Sequence, residues 1–339
     1  MTALTWVPET NDFYPLAPSV ARKRVAIGAA YRAAWFDIAG NARRLSRMRS
    51  ALLETEPDAA ISYLDGTNEL FLLATLGCRF RKYVYCQNDI AQRPHYDSRW
   101  AALRRMTYPL AHGVVFLDSE QAQRANVAYP SWNCIGIPNP VPDLDFEPGE
   151  SERALIETLV ERRRWLVAMG RLVPQKGFDM LFAAFAKLAP SFPDWNLLIL
   201  GEGKLRQTLQ KQLEVAGLAD RVRMPGLVRN PHAVMRRCDL FVLSSRYEGQ
   251  ALALAEALSC GLPAVSFDCP SGPRLIVRDG VDGLLAEANN VEALAEALAT
   301  LMRDDVRRAS MAKEAPDARE RFGADRIAAV WDDLLGGAP

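Results

Sequence analysis

Glu248 and Glu256 stand eight residues apart in Arg246-Tyr247-Glu248-Gly249-Gln250-Ala251-Leu252-Ala253-Leu254-Ala255-Glu256-Ala257-Leu258. An apolar run, Leu240-Phe241-Val242-Leu243, comes just before, and a second, Ala264-Val265-Ser266-Phe267, follows Cys260-Gly261-Leu262-Pro263. The pattern reads as strand, loop, helix, turn and strand. Glu248 then falls at the carboxyl end of a strand, where open α/β sheets place their ligands. Glu256 lies about two helical turns further on. Its neighbours are all apolar, and a carboxylate is rarely buried without a partner, so a ligand hydroxyl is the expected partner. An ionised carboxylate only accepts, and it can take two hydroxyl hydrogens at once, which suits a vicinal diol. The pair fits a two-point grip on a sugar nucleotide. The plainer alternative makes Glu248 a solvated turn residue and puts Glu256 on the wet edge of its helix.

A second loop carries opposite charge. Gly170-Arg171-Leu172-Val173-Pro174-Gln175-Lys176-Gly177 follows an apolar strand and precedes a helix, so it has the form of an anion site. Arg171 and Lys176 add two cations that would neutralise a diphosphate without a metal. Neither a dinucleotide fingerprint nor a Walker A sequence is present in this loop. Leu200-Gly201-Glu202-Gly203 and Pro225-Gly226-Leu227-Val228 are further strand-end turns. Gly201 allows a ligand close to the backbone, and the loop at Gly226 could hold a base through main-chain groups; either could equally be a turn that the topology requires. Asp268 to Ile276 opens another helix at the same sheet edge, while Asp279-Gly280-Val281-Asp282-Gly283 reads as a structural turn. Asp143-Leu144-Asp145 formally matches a metal-binding Asp-x-Asp but lies in a Pro-rich linker, and is read as linker charge.

These loops need a scaffold of alternating strands and helices, which means parallel sheets with helices on both faces. Strands are expected at 59–63, 83–86, 113–117 and 133–137, with helices at 68–76, 98–111 and 120–128. A second series has strands at 165–170, 196–200, 222–224, 240–243 and 264–267. Its helices are expected at 178–188, 204–216, 252–259, 291–302 and 324–335. Pro138-Asn139-Pro140-Val141-Pro142 and the acidic stretch 143–152 separate the two series. The expected fold is α/β, with two doubly wound Rossmann-like domains facing a cleft, at 1–145 and 146–323, and a C-terminal helix at 324–339 that could cross back to the first domain.

The totals are ordinary. The chain has 339 residues, 49% hydrophobic and 24% charged, with a formal net charge of +0. Such a balance argues against a nucleic-acid partner. No apolar run reaches the roughly 20 residues of a membrane span, and no signal peptide is recognisable, so a cytoplasmic protein is expected. The six cysteines are scattered without a Cys-x2-Cys pair and are read as structural. Residues 22–49 hold eight Lys or Arg against one acid, with Trp35 and Phe36 interleaved. Such a stretch suits contact with an anionic membrane surface, or simply a solvated helix face.

Taken together, these residues resemble the retaining glycosyltransferases of family 4, which have the GT-B fold. The resemblance rests on Ile137-Pro138-Asn139-Pro140-Val141, Gly170-Arg171 with Lys176-Gly177, Leu200-Gly201-Glu202-Gly203, Glu248-x7-Glu256, Cys260-Gly261-Leu262-Pro263 and Asp279-Gly280 with Asp282-Gly283-Leu284-Leu285. The first domain resembles the family through its strand and helix order, Asp65-Gly66-Thr67-Asn68 and Gln87-Asn88-Asp89. The resemblance implies that Arg171 and Lys176 hold the donor diphosphate, that Glu256 holds the ribose hydroxyls and that Glu248 contacts the donor sugar near the reacting carbon. Gly249, Gln250, Ala251 and Leu252 would line the sugar and phosphate, with Gly170, Gly201 and Gly226 completing the donor site. It further implies transfer with retention and no metal or other cofactor. The donor would be a nucleoside-diphosphate sugar, read as UDP-linked, and the acceptor a glycan or lipid-linked glycan. Ala3-Leu4-Thr5-Trp6 matches the family's second strand, so the opening strand, glycine-rich loop and helix of the first domain are expected to be absent. A truncated first domain leaves open a non-catalytic sugar-nucleotide-binding protein, and a phosphorylase of the same general architecture is a third reading.

Overall fold

A computed structural model describes residues 1–5, 16–25, 38–64, 66–87, 98–159 and 164–336. The chain divides into two units, Met1–Gly136 and Ile137–Pro339. The boundary falls earlier than the Pro-rich segment suggests, for a physical reason. Val141 bridges to Gly323, its N–H donating to the Phe322 carbonyl at 2.7 Å, and Asn139 is bound by Gln250. The segment after Gly136 is therefore tied to the second unit. The C-terminal helix also groups with that unit, with Ile327 buried.

Unit 1 contains β1 (Thr2–Thr5), β2 (Ala21–Arg24), α1 (Ile38–Leu53), β3 (Ala59–Tyr63), α2 (Thr67–Ala74), β4 (Arg81–Cys86), α3 (Ser98–Thr107), β5 (Gly113–Phe116), α4 (Ser119–Ala128) and β6 (Cys134–Gly136). All its strand pairs are parallel. They form two sheets, β1-β2 and β3-β4-β5-β6, and among the described residues no strand joins β1 to β3. This interval is where the resemblance puts the opening strand. Val84, Cys86, Val114 and Phe116 pack against Phe71, Leu72, Tyr108 and Trp132.

Unit 2 contains α5 (Glu150–Glu157), β7 (Arg164–Met169), α6 (Phe178–Leu188), β8 (Trp195–Leu200), α7 (Arg206–Val215), β9 (Val222–Gly226), α8 (Pro231–Met235), β10 (Leu240–Leu243) and α9 (Leu252–Ser259). It continues with β11 (Ala264–Phe267), α10 (Pro273–Ile276), β12 (Gly283–Ala286), α11 (Val291–Arg303), α12 (Asp305–Glu314), α13 (Ala318–Phe322) and α14 (Ala324–Gly336). The sheet order is β12-β11-β10-β7-β8-β9, all parallel. Successive side chains leave a strand on opposite faces, so each central strand feeds two cores. Leu166, Leu197, Leu240 and Val265 enter one, with Phe182 and Phe185 of α6 and Leu298 of α11. Val167, Leu198, Phe241 and Ala264 enter the other, with Leu254 and Leu258 of α9. This double burial is why the strands read as continuous apolar runs and not as alternation.

Sequence reading missed α1, β2, α5, α8, α12, α13 and β12, short or polar elements whose placement depends on packing. The expected linker charge at Asp145 accepts from the Glu147 N–H at 2.9 Å. Asp282 is fully buried, taking Arg278 at 2.7 Å and Arg321 at 3.4 Å, and Asp279 accepts from the Leu285 N–H at 2.9 Å, which suits a structural turn. Burial pushes the Cys134 thiol up to about 11 and those of Cys260 and Cys269 up to about 12, so they stay protonated and inert at neutral pH.

A buried charge pair organises unit 1. Glu69, fully enclosed in α2, receives Arg104 Nε from α3 at 3.1 Å and the Gly66 N–H at 2.5 Å. Removing one partner of such a pair leaves a charge buried and uncompensated. Arg104→Met is expected to lower stability by about 3 kcal/mol or more, read as a fall in the urea midpoint. A loss well below that would show that Glu69 finds other compensation.

Candidate active site

The site sits where the winding of unit 2 reverses. From β7 the chain steps outward to β8 and β9, then returns to the other side of β7 to lay down β10, β11 and β12. The loops leaving β7 and β10 therefore diverge, and the space beyond their carboxyl ends is the position at which open α/β sheets take ligands.

Lys176 comes from the β7 loop and Glu248 from the β10 loop, and Lys176 Nζ meets Glu248 Oε1 at 2.6 Å. The pair is mostly buried, with 15% and 6% of the two side chains exposed. Ser245 Oγ donates to the same carboxylate oxygen at 2.5 Å. The loops are also stitched through their main chains. The Arg246 N–H donates to the Gln175 carbonyl at 2.8 Å, Gln175 Nε2 to the Tyr247 carbonyl at 3.0 Å and Ser244 Oγ to the Lys176 carbonyl at 2.9 Å. Arg246 makes a two-pronged pair with Asp179 at 2.9 and 2.6 Å. Gly177 turns with φ 63°, and a Cβ there would lie 2.0 Å from the Ser244 carbonyl oxygen, so only glycine lets the loops close to this distance.

Two helix N-termini face this region, and they differ. The first turn of α6 carries its own acid, Asp179, whose hydrogen-bonded Arg246 holds its carboxyl below the usual range. The first turn of α9 carries no acid, and its N-cap residue is Ala251, which makes no side-chain cap. Among the described residues, nothing accepts from the N–H groups of Gly249 to Ala253. These amides lie beside Glu248 and are open to an acceptor, whereas the helix after Gly177 has Asp179 in its first turn. Ala251 is buried and sits in the left-handed region at φ 58°.

The other expected site residues fall around this centre. Arg171 is exposed, and among the described residues its side chain has no partner. The Lys176 stem lies over Gly170, where a Cβ would come within 3.2 Å. The Gly201 N–H donates to the Gly226 carbonyl at 2.9 Å, joining the turns after β8 and β9, and Arg206 braces them through Glu202 and the Met224 carbonyl. Beyond Gly226, Leu227 is exposed, and the main-chain groups of Leu227 and Val228 make no hydrogen bond among the described residues. The Gln250 side chain is bound to the Asn139 main chain, accepting its N–H at 2.5 Å and donating to its carbonyl at 2.8 Å. It clamps the loop to the segment after unit 1, and its main-chain N–H is one of the open amides. Leu252 opens α9, and four residues later Glu256 Oε2 lies 3.1 Å from His232 Nε2. His232 was missed in the sequence, since nothing in its spacing connects α8 with α9.

The basic stretch 22–49 is partly accounted for by internal contacts. Arg22 donates to Thr5 Oγ1 at 3.0 Å, Lys23 pairs with Glu54, and Arg49 binds the Ala74 and Leu76 carbonyls at the end of α2. Arg32, Trp35 and Phe36, like Trp6, Asp65, Asn88 and Asp89, lie outside the described residues. Among the described residues no helix is long and apolar enough to cross a membrane.

Residues 154–318 match the family model described as Glycosyl transferases group 1. The chain is 38% identical over 201 residues to the exopolysaccharide phosphotransferase of Streptomyces coelicolor, covering 59% of this chain and 20% of that protein. It is 31% identical over 173 residues to the N-acetylgalactosamine-N,N'-diacetylbacillosaminyl-diphospho-undecaprenol 4-alpha-N-acetylgalactosaminyltransferase of Campylobacter jejuni, covering 51% of this chain and 47% of that one. The chain thus spans less than half the length of these relatives. HepE from Anabaena, solved in complex with UDP and glucose, superposes with a TM-score of 0.78 at 19% identity, over 94% of this chain and 87% of that one. The fold is of the GT-B type, with two parallel-sheet α/β units.

Two predictions follow from the loop geometry. Because pairing with Arg246 depresses the Asp179 pKa, the pair adds stability above the ordinary value near 3.8, and this is lost as pH falls through the lower folded value. Both side chains are partly exposed, so Asp179→Asn should cost under about 1 kcal/mol at pH 7. The urea midpoints of the two proteins should converge as pH drops from about 5 toward 3. Ala251→Gly should raise stability by up to about 1 kcal/mol by relieving the left-handed alanine; a lower melting temperature would mean that the Ala251 methyl's packing outweighs the strain.

Proposed function

We propose that the chain is a glycosyltransferase that moves a hexose or N-acetylhexosamine from a nucleoside-diphosphate sugar, UDP-linked, to a glycan acceptor. The observation that carries this reading is the meeting of Lys176 and Glu248 at the switch point, beside the unfilled amides of Gly249 to Ala253. The donor diphosphate would occupy that cradle, with Arg171 and Lys176 as its counter-charges. The complex of HepE with UDP and glucose supports a UDP-sugar donor by likeness of fold. The lipid-linked substrate in the name of the Campylobacter jejuni relative supports a lipid-linked glycan as acceptor. The reading places the protein at the cytoplasmic face of a membrane, with the basic stretch 22–49 as a contact to anionic lipid.

In the free chain Lys176 and Glu248 satisfy one another. A bound diphosphate brings its own negative charge, and Lys176 would turn part of its charge toward it. Glu248 then has a free lone pair for a sugar hydroxyl. In the reaction the bond between the anomeric carbon and the diphosphate oxygen breaks, and the diphosphate keeps the electron pair. The acceptor hydroxyl oxygen bonds to the same carbon with retention, and its proton is released. Negative charge grows on the leaving diphosphate, so the cations and amides there stabilise the transition state more than the ground state, with no metal required. Glu256 would hold the ribose diol of the donor.

The test is calorimetric binding and turnover across UDP-, GDP- and dTDP-sugars. Glu256→Ala should weaken donor binding by about tenfold or more; unchanged affinity would sink the assignment. Lys176→Met should lower turnover by about 10²-fold, with a smaller effect on binding. A second reading, a sugar-nucleotide-binding protein without turnover, draws on the two-piece sheet of unit 1. It predicts binding of one donor with neither transfer nor hydrolysis.

A further inference from the structure

Glu256 is the one charged residue of α9, whose Leu254, Ala255, Ala257 and Leu258 are all buried. Only 16% of its side chain is exposed. Among the described residues its one side-chain partner is His232, whose Nε2 lies 3.1 Å from Oε2, and His232 has no other. Among the described residues, Oε1 of Glu256 has no hydrogen-bond partner. An ionised carboxylate can only accept, so the shared hydrogen belongs to His232 Nε2. His232 is itself held in place. It is the second residue of α8, a short helix whose start is set by Asn230, which caps the Ala233 N–H at 3.2 Å and anchors its own N–H on the buried Glu152 at 3.3 Å. Pro231 stiffens the first turn. The loop entering α8 is the one in which the main-chain groups of Leu227 and Val228 are unfilled. Unfilled peptide groups, an imidazole and a half-satisfied carboxylate thus lie on the loop before α8, on α8 and on α9.

We propose that His232 is a positioning residue for the nucleoside of the donor. By donating from Nε2 to Oε2 it fixes the rotamer of Glu256, so that Oε1 accepts from the ribose hydroxyl pair. The inference rests on the reading in which Glu256 holds the ribose, and it adds a specificity determinant on a different helix. A carboxylate held by one hydrogen bond is oriented before the ligand arrives, which reduces the ordering cost of binding. A purely structural pair would instead satisfy a buried charge and leave ribose recognition alone.

The experiment compares UDP with 2′-deoxy-UDP by calorimetry on the full chain at fixed pH, with GDP and 2′-deoxy-GDP as the alternative pair if the chain prefers guanine. The wild type should prefer the ribonucleotide by about tenfold or more, because a site built around a hydroxyl rejects the analogue that lacks it. His232→Phe should weaken ribonucleotide binding by about tenfold while leaving the deoxynucleotide within about twofold. His232→Gln, which returns an amide donor near the Nε2 position, should restore most of the preference. Equal weakening of both nucleotides by His232→Phe, or no recovery with His232→Gln, would reduce the pair to a structural contact and overturn the proposal. A His232→Phe variant that keeps the full preference would also overturn it, while leaving the transferase reading intact. A wild type that binds no nucleotide, or binds the ribo and deoxy forms alike, would remove the ribose role of Glu256 and both readings with it.

Discussion

Lys176 and Glu248 meet because the chain reverses its winding between β7 and β10. In a parallel sheet every strand ends at the same edge, and each strand needs a crossover to reach the next. Where successive crossovers run to opposite sides, two adjacent loops separate and leave a space between them. Here the two loops are then pulled back together by main-chain bonds, by the Arg246–Asp179 pair and by the bare Gly177 against the Ser244 carbonyl. The result is a mostly buried ion pair beside a helix start with open amides.

Burial makes the carboxylates informative. Glu69, Glu152, Glu248, Glu256 and Asp282 are all mostly enclosed, and each finds a partner: Arg104, the Asn230 N–H, Lys176, His232, and Arg278 with Arg321. Their surroundings separate their roles. Asp282 and Glu69 are tied by two or more bonds inside a packed turn or helix pair, and they stabilise the fold. Glu248 and Glu256 lie where unfilled main-chain groups gather, and each is bound in a way that leaves capacity for a ligand. A rigid scaffold with a few incompletely satisfied polar groups is the usual form of a small-molecule site.

The two units present different pictures. Unit 2 has an unbroken six-stranded sheet with cores on both faces, and it holds the whole of the match to the Glycosyl transferases group 1 model. Unit 1 has its strands in two sheets, with α1 and α2 packed nearby and a buried polar network of Asn68, Glu69, Arg104 and Tyr108 behind them. Among the described residues, the buried Asn68 Oδ1 atom has no hydrogen-bond partner.

Much of unit 2 could be read from the residues alone. Strands buried on both faces are continuous apolar runs, so Leu240–Leu243 and Ala264–Phe267 were legible to the residue, as were α6 and α9. The Glu-x7-Glu spacing marked the two carboxylates, and Arg171 and Lys176 stood out in a strand-end loop, because local pattern and residue type carry that information. The sequence could not show that Lys176 would be spent on Glu248 in the free chain, that Asp179 would pair with Arg246, or that Gln250 would turn away to clamp Asn139. Nor could it link His232 with Glu256. Those four facts are contacts between elements far apart in the chain, and periodicity along the sequence has no term for them. Residue types determined which groups were present; the reversal of strand order and the packing of α8 on α9 decided which of them meet.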